Sequence, residues 1–300
     1  MCIRKIYILL FLTTFAKFTF AQDYTWWNQI HNWDGYTSWL KYLTYSPAYF
    51  GPNALPVPDI QNGEVGKNLE IEVSGEYHFS KGDKTRNLYT RIYYPIVKNI
   101  VAVEGYVVPL EHFKMDTTTR DIRGARLRSG EGFAGGDIYF GTSIQIVKNK
   151  KIPDIAFRMM CRTASGTNVS AARYTDAPGY FFDLSFGKTM LINKELQHAI
   201  RPHLMVGFYS WQTNLDDHRQ NDAFLYGIGT SFSINKFEYT TSLAGYKGYI
   251  KNGDSPMIAE IKILHKRKLF NYSLAIKQGL NDFSYTRIKL AFIYCLKKKE

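Results

Sequence analysis

From about Asn68 onward, apolar and polar residues alternate with a period of two. In LEIEVSGEYHF, one side carries Leu69, Ile71, Val73, Tyr77 and Phe79, and the other Glu70, Glu72, Ser74, Glu76 and His78. NYSLAIK (271–277) and TRIKLAFIY (286–294) repeat the pattern near the C-terminus. Successive side chains of a strand point to opposite faces, so this period argues strand and not helix. Twelve such segments are expected: 69–79, 86–95, 98–110, 136–148, 152–163, 179–190, 199–211, 222–234, 237–249, 256–265, 269–278 and 285–295. Their length, about ten to thirteen residues, is close to the ~9–11 that a tilted strand needs to cross a bilayer. Twelve is an even number, as single-chain bacterial barrels have.

The connections sort by length. Ile96-Val97, Asn149 to Lys151, Leu191 to His198, Asn235-Lys236 and Lys266 to Lys268 are mostly short, whereas 111–135, 164–178 and 212–221 are long. Short and long connections fall on opposite parities, as expected when one rim carries periplasmic turns and the other extracellular loops. A soluble antiparallel sheet with polar outer faces is the competing reading of the alternation. The expected fold class is therefore all-β: an antiparallel transmembrane β-barrel of about 12 strands, with a short N-terminal plug-like segment.

Composition sharpens the choice of face. With the apolar phase outward, the inward set mixes Glu70, Glu72, Glu76, Glu104, Asp183 and Glu260 with Arg91, Arg158, Arg201, Lys277, Arg287 and Lys289. A Lys or Arg facing hydrocarbon at the bilayer midplane costs about 2–4 kcal/mol, so these charges belong in a polar lumen. If the first and last strands pair to close the barrel, the acids Glu72 and Glu76 come opposite Arg287 and Lys289, and a cross-seam cluster of ion pairs is expected.

Ahead of the strands lie two different segments. Arg4 and Lys5, the apolar run Ile6 to Ala16 and the small residues Thr19 and Ala21 form a secretory leader, with cleavage expected after Ala21. Residues 22–66 then hold Trp26, Trp27, Trp33 and Trp39, four of the chain's five tryptophans. Forty-odd residues cannot bury these rings alone, so the segment must lie in the lumen or across the periplasmic mouth, as plug or ligand cage, or else sit as an interfacial foot. Thr37 or Ser38 is placed to cap a short helix over WLKYL, and Pro47 stops it. The division is thus 1–21 leader, 22–66 aromatic pre-barrel segment and 67–300 barrel.

The 22 Tyr, 20 Phe and 5 Trp suit a membrane barrel, and the net charge of +12 suits contact with anionic lipid or polysaccharide. No dinucleotide, phosphate-loop or zinc motif is present, and neither nucleic acid, cofactor nor metal is expected. The three cysteines, one of them in the leader, make no disulfide framework. The run Arg120, Arg123, Arg126, Arg128 in the third connection suggests either a lipopolysaccharide contact or, more simply, a solvated loop with local ion pairs.

With the Ala21-Gln22 junction after the leader and the aromatic segment before the first strand, the chain resembles the outer-membrane β-barrel proteins of Bacteroidota. That resemblance implies location and fold, and leaves activity open. Locally, YHFSKGDKTRNLYTRIY (77–93) is similar to the active-site region of outer-membrane phospholipase A, implying His78 as base, Ser80 as nucleophile and Asn87 as orienter, before Leu88-Tyr89. Here Ser80-Lys81-Gly82 stands where that family has Ser-Asn-Gly, and His78 shares a face with three glutamates. The expected function is porin-like passage or binding of a small polar solute, or an envelope role, among outer-membrane lipid and lipopolysaccharide. A membrane-embedded lipid acyl hydrolase is the alternative.

Overall fold

The computed structural model describes residues 23–193 and 198–296. The expected leader, 1–21, lies outside them.

Twelve antiparallel strands close on themselves: β1 (69–80), β2 (83–97), β3 (101–115), β4 (139–147), β5 (154–162), β6 (179–187), β7 (198–212), β8 (220–234), β9 (237–248), β10 (257–265), β11 (270–281) and β12 (286–296). Each pairs with its neighbours in chain order, and β12 returns to β1 in a register from Leu69↔Leu296 to Phe79↔Thr286. Closure leaves no strand edge in the wall. Strand ends fall within a few residues of those expected, with the largest shift at β3, which continues to Met115.

Two short strands were not foreseen. Glu131–Ala134 pairs with the far end of β3, and Met190–Asn193 pairs with the start of β7, so both extend the wall beyond the closed ring. Two short helices also form: α1 (Thr25–Ile30) and α2 (Thr117–Ile122). Asp116 caps α2 by accepting the Thr119 backbone N–H at 2.7 Å. The helix expected over 39–43 is one turn of 3-10 helix, Trp39–Tyr42, and Ser38 makes no side-chain cap there.

The period-two pattern sets the faces. Lumenal Glu72, Glu76 and His78 on β1 are buried, whereas Ile71, Val73 and Phe79 between them are exposed. The same outward face is apolar all round, with Ile228, Ile261 and Leu290 each more than 60 % exposed. An apolar belt of that extent marks a surface that meets lipid.

The rims differ. One carries the turns 98–100, 148–153, 235–236 and 266–269, where Asn99, Asn149 and Asn235 take the positive φ that a tight hairpin requires. The other carries the connections 116–138, 163–178, 213–219 and 249–256. One connection on this second rim is a two-residue hairpin, Lys81-Gly82. Gly82 sits at φ +90°, and a Cβ there would stand 2.1 Å from Thr119 Oγ1, so the α2 loop folds directly over this tip. The rims are called below the short-turn and long-loop ends.

Contacts divide the described chain into residues up to Tyr36 and residues from Thr37 onward. The single pre-barrel segment expected over 22–66 is therefore two pieces. The first holds α1, Trp26, Trp27 and Trp33, with Trp27 buried and its ring 4.8 Å from His31. The second, 37–66, belongs to the barrel unit.

Candidate functional site

Residues 37–66 run the length of the lumen. At the long-loop end, Lys41 pairs with Asp216 at 2.6 Å and the Asn214 amide donates to Leu43 O at 2.8 Å. Ser46 donates to Asn252 O, Gly51 N to Ala172 O, and Trp211 Nε1 to Tyr45 O. Further along, Arg162 donates to Ala54 O, Tyr246 to Leu55 O at 2.8 Å, Arg158 to Asp59 O at 3.0 Å and Arg201 to Asn62 O at 3.1 Å. At the short-turn end Gln145 binds both Gly63 O and Val65 N, and Tyr93 accepts Gly66 N at 2.7 Å.

The order of partners on β5 gives the geometry. Arg162, Arg158 and the Asp154 backbone meet residues 54, 59 and 63 in turn. Nine residues of the segment therefore match eight of an antiparallel neighbour, so it is stretched like a strand, covering about 26 Å at ~3.3 Å per residue. GPNALPVPD (51–59) is too rich in proline to pair in a sheet. Its carbonyls are satisfied instead by long polar side chains from the wall, as buried backbone groups must be.

The position decides between the alternatives left open for residues 37–66: they lie in the lumen and not across one mouth. From the short-turn end, where it joins β1, it traverses the lumen, and Trp39 lies at the long-loop end, where Arg126 stacks over its ring at 5.3 Å. Lumenal hydrogen-bonding groups spread along the whole wall make this path, and a mouth-covering lid would leave them unsatisfied.

The long-loop half of the lumen is packed. Leu55 and Val57 join Tyr139, Met160, Phe181, Tyr209, Trp211 and Tyr246 in one apolar cluster, and Leu43, Phe50 and Ala54 join Phe113, Ala125, Ala172 and Tyr174 in another. Between these sits a fully buried ionic group. Asp83 takes Arg123 at 2.8 Å, Arg173 at 2.7 Å and the Tyr285 hydroxyl. Glu111 takes Arg173 Nε at 2.7 Å, Tyr174 at 3.0 Å and Asn53 of the inner segment at 2.7 Å. Gly51 leaves room here: a Cβ would stand 2.6 Å from the Arg173 guanidinium, which its ion pairs with Asp83 and Glu111 hold in place.

The arginine run in 120–128 is thus only partly solvated, contrary to expectation. Arg120 and Arg123 are buried, Arg123 aims inward at Asp83, and Arg128 is exposed. The loop is held down by charges on the barrel wall that no local pattern reveals. Outside the membrane span, the exposed Asp116 carboxyl is held below its ordinary value by the Thr119 N–H it accepts.

Farther along the lumen the packing opens. A cavity of about 410 Å³ lies between the inner segment and the wall, lined by Glu72, Glu76, Tyr89, Lys262, Lys277, Arg287 and Lys289 among others. The four charges singled out across the seam meet there. Lys289 Nζ lies 2.8 Å from Glu72 and 3.4 Å from Glu76, and Arg287 lies 3.4 Å from Glu76 and 2.7 Å from Glu260. The register places Glu76 opposite Lys289 and His78 opposite Arg287. Lys277 bridges Glu260 and Asp59 of the inner segment, and Lys289 also sits 3.8 Å from the Tyr89 ring centroid. Asp59, Trp211, Arg173, Asp83 and Glu111 were not singled out from the sequence; lumenal phase flags Asp83 once β2 is taken to its full length, whereas Glu111 lies beyond a register shift that flips the phase set by Glu104.

His78, Ser80 and Asn87 do not assemble as a nucleophilic set. His78 Nε2 faces Glu76 at 3.3 Å, Ser80 bonds to Asp83 O, and Asn87 donates to Glu76 at 2.8 Å. All three serve the lumenal network and the hairpin tip. Among the described residues no cluster of His, Cys, Asp and Glu could hold a metal.

No protein-family model and no curated sequence matches the chain. Among solved structures, an outer-membrane channel from Pseudomonas putida F1 is similar over 80 % of this chain and 100 % of that one, at 8 % identity and a TM-score of 0.58. The chain has the fold of an outer-membrane β-barrel. The NanC porin (10 % identity, 75 % and 100 % coverage, TM-score 0.47) and the KdgM porin in complex with disordered oligogalacturonate (10 %, 74 % and 98 %, 0.45) are more distant in shape. At these identities the likeness concerns fold alone, and the fold assignment rests on the first of the three.

Proposed function

We propose that the chain is a porin-like barrel of the bacterial outer membrane, exported by the leader at 1–21, that binds or passes a small polar solute and is held shut by residues 37–66. Outer-membrane lipid and lipopolysaccharide surround its apolar belt. One observation carries this reading: a cavity of about 410 Å³ lined by charged side chains lies beside an extended stretch of chain that, together with wall and loop side chains, packs the lumen toward the long-loop mouth. That stretch is attached by hydrogen bonds and by the ion pairs of Lys41 with Asp216, Asp59 with Lys277, and Glu64 with Lys148 and Arg201, and it belongs to no strand of the wall. Removing it leaves the closed ring of twelve paired strands intact. Each such bond contributes about 0.5–1.5 kcal/mol net, so the segment is seated by many small contacts.

The test is single-channel conductance in planar bilayers of the mature protein and of a form lacking 22–66. A clear rise in conductance on deletion, with insertion preserved, is expected. Equal conductance in the two forms defeats the plug, and silence in both favours an envelope role over passage.

A further inference from the structure

Resting on the outer-membrane reading, we propose that the upstream end of the lumenal stretch, Ser38 to Lys41, is exposed on the outer face of the membrane, carried there through its own barrel. Short turns mark the periplasmic rim of such barrels and long loops the external rim. β1 starts at the short-turn rim, and Gly66 just before it is fixed there by Tyr93. From that point toward the N-terminus the chain passes Arg201, Arg158 and Tyr246 in order, and reaches loops of the opposite rim at Leu43 and Lys41. These partners come from strands spaced round the wall, so the stretch is enclosed by the ring and does not run along its outside.

Two consequences follow. Ser38 and Lys41 are exposed residues at the external mouth, although the leader directs the N-terminal end to the periplasm first. The enclosed stretch has no sideways exit once β1 and β12 have paired, so the segment must be in place when the wall closes, or be drawn through an open lumen afterwards. The barrel then has an activity beyond solute handling: it transfers one segment of its own chain across the membrane.

Cysteine labelling in intact cells tests this, with a membrane-impermeant maleimide and the unsubstituted protein as background for Cys161 and Cys295. Three exposed positions are compared: Ser38→Cys, Asp217→Cys in the long-loop connection after β7, and Lys236→Cys in the short turn after β8. Retained resistance of each barrel to unfolding in SDS without heating shows that it is folded. The expected result is labelling of S38C to the same extent as D217C on intact cells, with K236C labelled only after the outer membrane is permeabilised. S38C protected alongside K236C while D217C is labelled overturns the proposal and leaves the outer-membrane reading standing. D217C protected and K236C labelled, or no labelling at D217C and K236C even after permeabilisation, overturns both together.

Discussion

Two groups of charged side chains in the lumen are used in opposite ways. Near the long loops, Asp83, Glu111, Arg123 and Arg173 are all below 5 % exposed and sit among Phe113, Tyr174 and Tyr285. Around mid-barrel, Glu72, Glu260, Lys262, Lys277 and Lys289 line a cavity. The same ion pair is a different object in the two places. In the packed half a missing partner leaves a charge without water, whereas in the cavity solvent can replace it. The difference shows that the fold closes the long-loop mouth as a protein interior and leaves a chamber beneath it.

That contrast can be broken most directly at Arg173. Arg173→Ala is expected to lower stability by about 3–5 kcal/mol, because Glu111 and Asp83 then lose a buried counter-charge. Denaturant unfolding of the refolded protein measures it, and a loss below about 1 kcal/mol would mean that the long-loop end is wetter than its packing implies. Tyr246→Phe removes one hydrogen bond to the inner segment while keeping the ring among Tyr209 and Trp211. A loss of about 0.5–1.5 kcal/mol is expected, read by the same method.

In the chamber, Lys289→Met should change stability by no more than about 1 kcal/mol. Its effect belongs in selectivity. In the form lacking 22–66, removing this cation beside Glu72 and Glu76 is expected to shift the reversal potential in a KCl gradient toward cation preference. An unchanged potential would show that the seam charges do not face the path.

The smallest effect is expected at Asp116. Its depressed folded-state value means that its stabilising contribution is complete above the ordinary carboxylate value of about 3.9 and is lost only as pH falls through the lower one. Protection of the Thr119 amide against hydrogen exchange should therefore persist to about pH 4 and fade below it. Fading well above that pH would show that the cap is not what orders α2.

The strands were legible because a wall between lipid and a polar lumen imposes one apolar and one polar face on nearly every residue, as at Leu69 to Phe79. The seam charges were legible for the same reason, since closure makes β1 and β12 neighbours. The path of 37–66 was not. Its backbone partners are Arg162, Tyr246 and Arg158, each roughly a hundred or more positions away, and a chain whose hydrogen bonds go to remote side chains has no period of its own. The orientation of Arg123 escaped for a related reason. Charge in a loop reads as solvated until something shows that a wall acid waits beneath it, and Asp83 lay just outside the strand as first drawn.

The tether at Gly66 has a mechanical consequence. The extended stretch has one end continuous with the wall and the other at the long-loop mouth, so it behaves as a cord anchored at one end, not as a stopper. A pull from the anchored side only tightens it. Traction from the other mouth would peel contacts one after another, first at Lys41 and Leu43, then at Tyr45 and Gly51, then at Ala54 and Leu55. Force along that line would load single hydrogen bonds in sequence while the twelve strands bear almost none of it.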